Sequence, residues 1–254
     1  MNIVTTLNEE LLKQPFVEER NEPTLLAECR HIAFVYSKIE NSIAVLSDLK
    51  ADKSYIYHGG TAAGLGLSDK HHTETIDSIW EDEIFRRIHP DDLIRKHVLE
   101  LQFFQLLKSL PMKERADYQV TSRIRMLDCK GNYVAVRHRM FYLCSSSNGS
   151  LWLALCLYNF ADDASGNPVF DGAIINSATG KMIRPGKDEC DEILSRREKE
   201  VLLLIGQGKS SKEIANQLFI STNTVNRHRQ NILEKLRVKN STEAYSLARH
   251  LNWV

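Results

Sequence analysis

LSRREKEVLLLIGQGKSSKEIANQLFISTNTVNRHRQNILEKLRVKNSTEAYSLARHLNWV, the stretch Leu194–Val254, decides how this 254-residue chain is read. Ser195 and Glu198 stand three apart ahead of Val201, Leu202, Leu204 and Ile205. In that pattern a hydroxyl and a carboxylate reciprocally satisfy the first free amides of a helix. Gly206 and Gly208 stop this helix. Ser210 with Glu213 repeats the pattern before Ile214, Ala215 and Leu218. Ser221 caps a third helix running to about Arg237, and Asn240 with Glu243 opens a fourth through Ala244, Leu247 and Ala248. Successive caps in so short a stretch predict a four-helix bundle.

The third helix has two faces. Val225, Ile232, Leu233 and Leu236 recur at helical spacing and form a packing stripe. Asn223, Asn226, Arg227 and Gln230 lie elsewhere on the cylinder, with 226/230 and 227/230 as neighbours at i+4 and i+3. Asn and Gln can pair bidentately with adenine, and Arg with guanine. Around them, Lys209, Ser211, Lys212, Ser221, Thr224, Arg229 and Lys235 are of the types that hold phosphates and set register without reading bases.

These residues resemble the LuxR/FixJ-type (GerE-like) helix-turn-helix family. The matching runs are LSRREKEVL, Gly208, KEIA at 212–215, L.IS..TV from Leu218 to Val225, His228, IL.KL from Ile232 to Leu236, and Val238. The resemblance implies base contacts at Asn226, Arg227 and Gln230. Many members carry a cation at the first of these, where this chain has Asn. It also implies a dimer on double-stranded DNA, with Tyr245, Leu247, Ala248 and Leu251 of the fourth helix as the dimer surface.

Composition fits this reading. Hydrophobic residues make up 43% and charged residues 26%, so the chain can bury a core. The formal net charge of zero divides unevenly. From Leu194 onward there are 11 Lys and Arg against 5 Asp and Glu, and before it 22 against 28. A basic end on an acidic body suits one nucleic-acid surface and one surface of another kind. Cys29, Cys129, Cys144, Cys156 and Cys190 show no metal-ligand spacing, so reduced thiols and a cytoplasmic location are expected, with no metal and no cofactor. The polar N-terminus is unlike a signal peptide, and no apolar run is long enough for a bilayer, so no membrane partner is expected.

The body ahead of the bundle reads as strands, helices, then strands. Ser42–Leu49 and Ser54–Tyr57 flank the turn KADK as a hairpin. TAAGLGL and TIDSIWEDEIFRRI follow as short helical material, and Asp91–Leu110 as a long helix, apolar at Leu93, Ile94, Val98, Leu101, Phe104 and Leu107. Tyr118–Leu127, Tyr133–Leu143 and Leu151–Asn159 form a meander whose first turn is DCKGN. This order, with IHPDD at Ile88–Asp92 and R.R..D..G.Y..V from Arg123 to Val134, resembles a PAS domain. The expected fold is α+β: a PAS-like antiparallel sheet with helices, then the helix-turn-helix bundle. The expected divisions are a helical segment at 1–41, a PAS-like sensing or dimerising domain at 42–162, a hairpin and linker at 163–193, and the DNA-binding domain at 194–254.

Sites of other kinds are not indicated. A receiver's order of strands and acidic residues is missing, and Asp162–Asp163 read as a strand exit. There is no P-loop, GxSxG or HExxH, so no enzyme is expected. Gly59–Gly66 is Gly-rich but lacks the dinucleotide spacing. The flavin-adduct cysteine motif is missing. His71–His72 reads as a solvated loop, and His138 as a core histidine with one satisfied hydrogen bond, or one turned outward by a register slip, rather than a haem or metal ligand. The function expected is sequence-specific transcriptional regulation, with a small-molecule or protein signal received by the PAS-like domain and RNA polymerase as a further candidate partner. The alternative is a protein-interaction module whose helical end docks without DNA. The Asn226/Arg227/Gln230 face and the basic end favour the first.

Overall fold

The computed structural model describes residues 3–68, 72–161, 171–184, 194–236, 238 and 240–250. The chain divides into two compact units. One is Asn8–Arg184; the other joins Met1–Leu7 to Pro185–Val254.

The larger unit is built on one sheet. Its strands are β1 (Ile43–Asp48), β2 (Lys53–His58), β3 (Thr73–Ile76), β4 (Tyr118–Leu127), β5 (Tyr133–Ser145), β6 (Leu151–Phe160), β7 (Asp171–Asn176) and β8 (Met182–Ile183). Their order is β3-β2-β1-β6-β5-β4-β7-β8, and every neighbouring pair is antiparallel. The central five strands, with helices α3 (Gly60–Gly64), α4 (Asp82–Phe85) and α5 (Pro90–Ser109) inserted between β2 and β4 in sequence, form the PAS-like arrangement.

Period-two alternation sends the two sets of side chains to opposite faces. On the outer face, Ala44, Leu46, Tyr57, Leu153, Leu155 and Leu157 cluster with Cys29 and Ala33 of helix α2 (Glu22–Ile39). On the inner face, Ser122, His138, Tyr158, Ile43 and His58 stand in one cross-strand row. Met140, Cys156, Val45 and Ile56 form the next row.

The IHPDD run has a physical role. The His89 imidazole accepts from the Asp91 amide at the start of α5, where Pro90 gives up no needed donor. Asp92 is fully buried, and both of its oxygens bind the Arg125 guanidinium, at 2.7 and 2.9 Å. The Arg125 backbone amide adds a third bond at 2.8 Å. This lashes the first turn of α5 to β4.

Four findings revise the sequence reading. The segment TIDSIWEDEIFRRI is not helical throughout: its first residues end β3, and only Asp82–Phe85 is helix. The alternating Thr-Glu-Thr-Ile finds an open strand edge on β2, which outweighs helical spacing. The helical segment before residue 42 is no separate piece, because α2 covers the outer face of the sheet. The hairpin after residue 170 belongs to the sheet, because β7 pairs with β4 along six residues. Lastly, α5 buries Arg95, Lys96, His97 and Glu100 besides its apolar stripe, while Leu93 and Ile94 are only half-buried. Asp162–Asp163 and His71 lie outside the described residues, and His72 is exposed. Among the described residues no helix is long and apolar enough to cross a membrane.

Candidate nucleic-acid interface

The smaller unit carries residues 3–7 of helix α1 (Ile3–Leu12) and four further helices: α6 (Arg196–Gly206), α7 (Ser211–Leu218), α8 (Thr222–Leu236) and α9 (Ser241–His250). Both capping boxes form. Ser195 and Glu198 bond reciprocally at the start of α6, as do Ser210 and Glu213 at α7. The Ser221 hydroxyl accepts the Thr224 amide at 3.0 Å, and the Asn240 amide oxygen accepts the Glu243 amide at 2.9 Å.

Val225, Ile232 and Leu236 of α8 are buried against a core that includes Val201, Leu202, Ile214 and Ala215. That fixes the rotation of α8. Asn226, Arg227 and Gln230 are therefore exposed together, as is Asn223. Gln230 donates to Glu234 at 3.1 Å, so its amide must leave that carboxylate to reach a base. Phe219 closes the turn between α7 and α8 in the left-handed region at φ 55°, with its ring 94% exposed. A bulky residue there carries backbone strain.

The phosphate-type residues separate into two groups. Lys212, Ser221 and Thr224 are exposed; Ser221 and Thr224 also bond each other through their hydroxyls at 2.8 Å. Lys209 and Ser211 are half-buried. Arg229 is half-buried and donates to Ser241 at 3.1 Å and to Ser211 at 3.5 Å, which ties α8 to α7 and α9. Lys235, expected among the phosphate contacts, is engaged within the fold. Its ammonium lies 2.6 Å from the buried Glu198 carboxylate, which cross-links α8 to α6. Burial alone would raise the Glu198 carboxyl's pKa, but Lys235 and the Ser195 cap outweigh it and hold it below the usual range.

Lys235→Ala is therefore expected to cost about 1–3 kcal/mol of stability, short of a fully buried pair because the ammonium is partly solvated. A carboxyl with a depressed pKa stabilises above its unfolded value, and that contribution is lost as pH falls through the folded one. The variant should accordingly lose less on acidification than the parent, read by urea titrations of the full chain at neutral and acidic pH. The salt slope of DNA binding should stay unchanged; a fall of about one would restore Lys235 to the phosphate contacts.

Two of the residues expected on the fourth-helix dimer surface, Tyr245 and Ala248, pack within their own unit. Ala248 is fully buried within its own unit, and the Tyr245 ring packs against Gly206. The Leu247 side chain and Leu251 lie outside the described residues. Gly206 is the last residue of α6 rather than its stop, and a Cβ there would lie 2.0 Å from the Tyr245 ring. The stop is Gly208, at φ 77°. Gly206→Val should displace Tyr245 and destabilise the bundle by about 1–3 kcal/mol. Unchanged hydrogen exchange of the α9 amides would contradict this.

Sequence reasoning passed over Arg197. Its guanidinium donates to the Leu218 carbonyl at the end of α7 at 2.6 Å and to Glu200 at 2.6 Å. It thereby fixes the helix that precedes the turn. A cation in the first turn of α6 runs against the helix dipole, and that mismatch was the available signal.

A capped helix pair joined by a tight turn, with the second helix seated by one face and presenting amides and a guanidinium on the other, defines a helix-turn-helix module. Residues 192–248 match the family described as bacterial regulatory proteins, luxR family, and this segment is a luxR-type domain. Curated relatives match over part of the chain. The transcriptional regulatory protein LiaR of Bacillus subtilis is 36% identical over 91 residues, covering 35% of this chain and 43% of that protein. The CsgBAC operon transcriptional regulatory protein of Escherichia coli is 50% identical over 56 residues, covering 22% and 26%. The chain thus spans less than half the length of these relatives. Among solved structures, the phage VqmA–DPO complex aligns over 92% of each chain at 13% identity and a TM-score of 0.33. A sensory box histidine kinase/response regulator from Burkholderia thailandensis aligns over 52% of this chain and 86% of that one, at 16% and 0.35. At those scores the overlaps add nothing to the strand order above.

Proposed function

We propose that this chain is a sequence-specific transcriptional regulator that binds double-stranded DNA as a homodimer. The observation that carries this is the rotation of α8. Its apolar face is buried by Val225, Ile232 and Leu236, and Asn226, Arg227 and Gln230 are left together in solvent. That is the side-chain chemistry of major-groove reading, on the helix that follows the turn. The basic excess from Leu194 onward supplies the sequence-independent attraction. The relatives named above are themselves transcriptional regulatory proteins.

On this reading the PAS-like unit receives a signal, either a small molecule or a protein. A signal acts only through unequal affinity for two arrangements of the dimer. The test is selection of duplexes from a random pool by the full-length chain. The expected result is an enriched site with two half-sites about one helical turn, or about 34 Å, apart. A pool that shows no enrichment would overturn the proposal and favour docking to protein.

A further inference from the structure

The inner face of the sheet encloses a set of polar groups that DNA binding does not use. The Lys96 ammonium and the Glu100 carboxylate, one turn apart on α5, meet at 2.5 Å, and both residues are buried. Opposite them stand His138 of β5 and Cys156 of β6. A carboxylate oxygen of Glu100, His138 Nε2 and Cys156 Sγ all lie within 4.8 Å of one another. The Glu100 to His138 distance is 3.8 Å.

His138 is set up as a ligand. Its Nδ1 lies 3.2 Å from the Ser122 hydroxyl, while Nε2 is fully buried and makes no hydrogen bond among the described residues, the Glu100 carboxylate lying 3.8 Å away. A ring whose Nδ1–H is held by an outer hydroxyl directs the Nε2 lone pair at the other two donors, which is the usual outer-shell arrangement around metal-bound imidazole. The hydroxyls of Tyr142 and Tyr158 are likewise buried without partners among the described residues. Both phenols sit close enough to Glu100 and Cys156 to feel their charge. Unpaired buried polar atoms are costly, and this many in one chamber points to an occupant.

We propose that Glu100, His138 and Cys156 bind one divalent transition-metal ion, with zinc as the natural choice for an O, N, S donor set. Three protein ligands leave a fourth tetrahedral position, which a water held by the tyrosine hydroxyls fills. Bond lengths of about 2.0–2.3 Å need only a modest closure of the triangle. Cys156 binds as thiolate and releases its proton to solvent. The ion and Lys96 then face Glu100, the Cys156 thiolate and the buried Glu81, whose carboxyl burial pushes up to about 7 and which an added cation would draw toward its ionised form. Glu81 also lines a cleft of about 500 Å³. The three ligands come from distant segments, so no sequence spacing announces them. The site stands independently of the DNA-binding proposal.

The test uses the full-length chain, stripped with a chelator and titrated with Co²⁺, then Zn²⁺. Expected are one Co²⁺ per chain, a thiolate-to-cobalt charge-transfer band, and displacement by Zn²⁺. Cys156→Ser should abolish the band, and His138→Ala should weaken binding at least about tenfold. Cys129→Ser, which removes an exposed thiol elsewhere, should leave both intact. If the first two variants fail to fold, Ser122→Ala carries the test, with an expected loss of about 10–100-fold in affinity and the band retained. A wild-type chain that takes up no Co²⁺, or binds it without a thiolate band, overturns the proposal, as does a band that survives Cys156→Ser. Neither result bears on duplex selection.

Discussion

Lys96→Met in metal-free buffer should lower the folding stability of the PAS-like unit by about 3–5 kcal/mol. The lysine is fully enclosed, its ammonium lies 2.5 Å from Glu100, and the Phe85 ring sits 4.7 Å from the same nitrogen. Burial pushes the Glu100 carboxyl up, but Lys96, His97 and His138 more than offset this and hold it well below the usual carboxylate range. Removing Lys96 leaves an anion in a site that cannot solvate it. The carboxyl must then take up a proton or the chamber must open. Lys96→Met with Glu100→Leu should recover most of the loss, because a buried pair replaced by apolar groups of similar volume is often neutral. The pH dependence has a definite sign. Glu100 stabilises above its unfolded pKa and loses that contribution as pH falls toward the folded one, so the single variant should show a shallower acid limb. Urea denaturation followed by tryptophan fluorescence reads all of this, since Trp80 and Trp152 both lie in this unit. A single variant within about 1 kcal/mol of the parent would show that water already solvates the pair.

Arg227→Ala should weaken binding to the preferred duplex by about 1–3 kcal/mol, roughly 5–150-fold, and relax selectivity at one base pair. The guanidinium is exposed on the face of α8 opposite Val225, Ile232 and Leu236, so truncation should leave the bundle's stability unchanged. Gln230→Ala should cost less, because that amide starts out bonded to Glu234 and must be released before it can read a base. Binding of a panel of single-base variants of the selected duplex separates the outcomes. Equal loss on every sequence would make Arg227 a phosphate contact instead.

The smaller unit was largely legible because its signals are local. Capping boxes at Ser195 and Ser210 are decided within four residues, and helical spacing alone settled which side of α8 is buried. Lys235 was not legible in that way: its partner Glu198 is 37 residues away in sequence, and a lysine near a recognition helix looks the same whether it meets a phosphate or a carboxylate. In the larger unit, β4 was readable to the residue because alternation and the DCKGN turn agree. The chamber was not. Lys96 and Glu100 at i and i+4 have the pattern of a solvated helix-surface pair, and only the sheet packed over them turns that pair into a buried one. His138 was read as a core histidine with one bond, and that bond exists. What the sequence could not show is which atoms face the other ring nitrogen.

The placement of β3 and β8 at the two ends of the sheet limits how this unit can associate. The described rims are a four-residue strand of alternating Thr and Glu or Ile at one end and a two-residue strand at the other. Ten-residue β4, which would be a long open rim without the final hairpin, is covered on both sides. Rims this short are poor templates for another chain's backbone. Copies of this unit should therefore join through helices or side-chain faces, not by extending one continuous ribbon, and the same trait should protect the protein from fibrillar stacking.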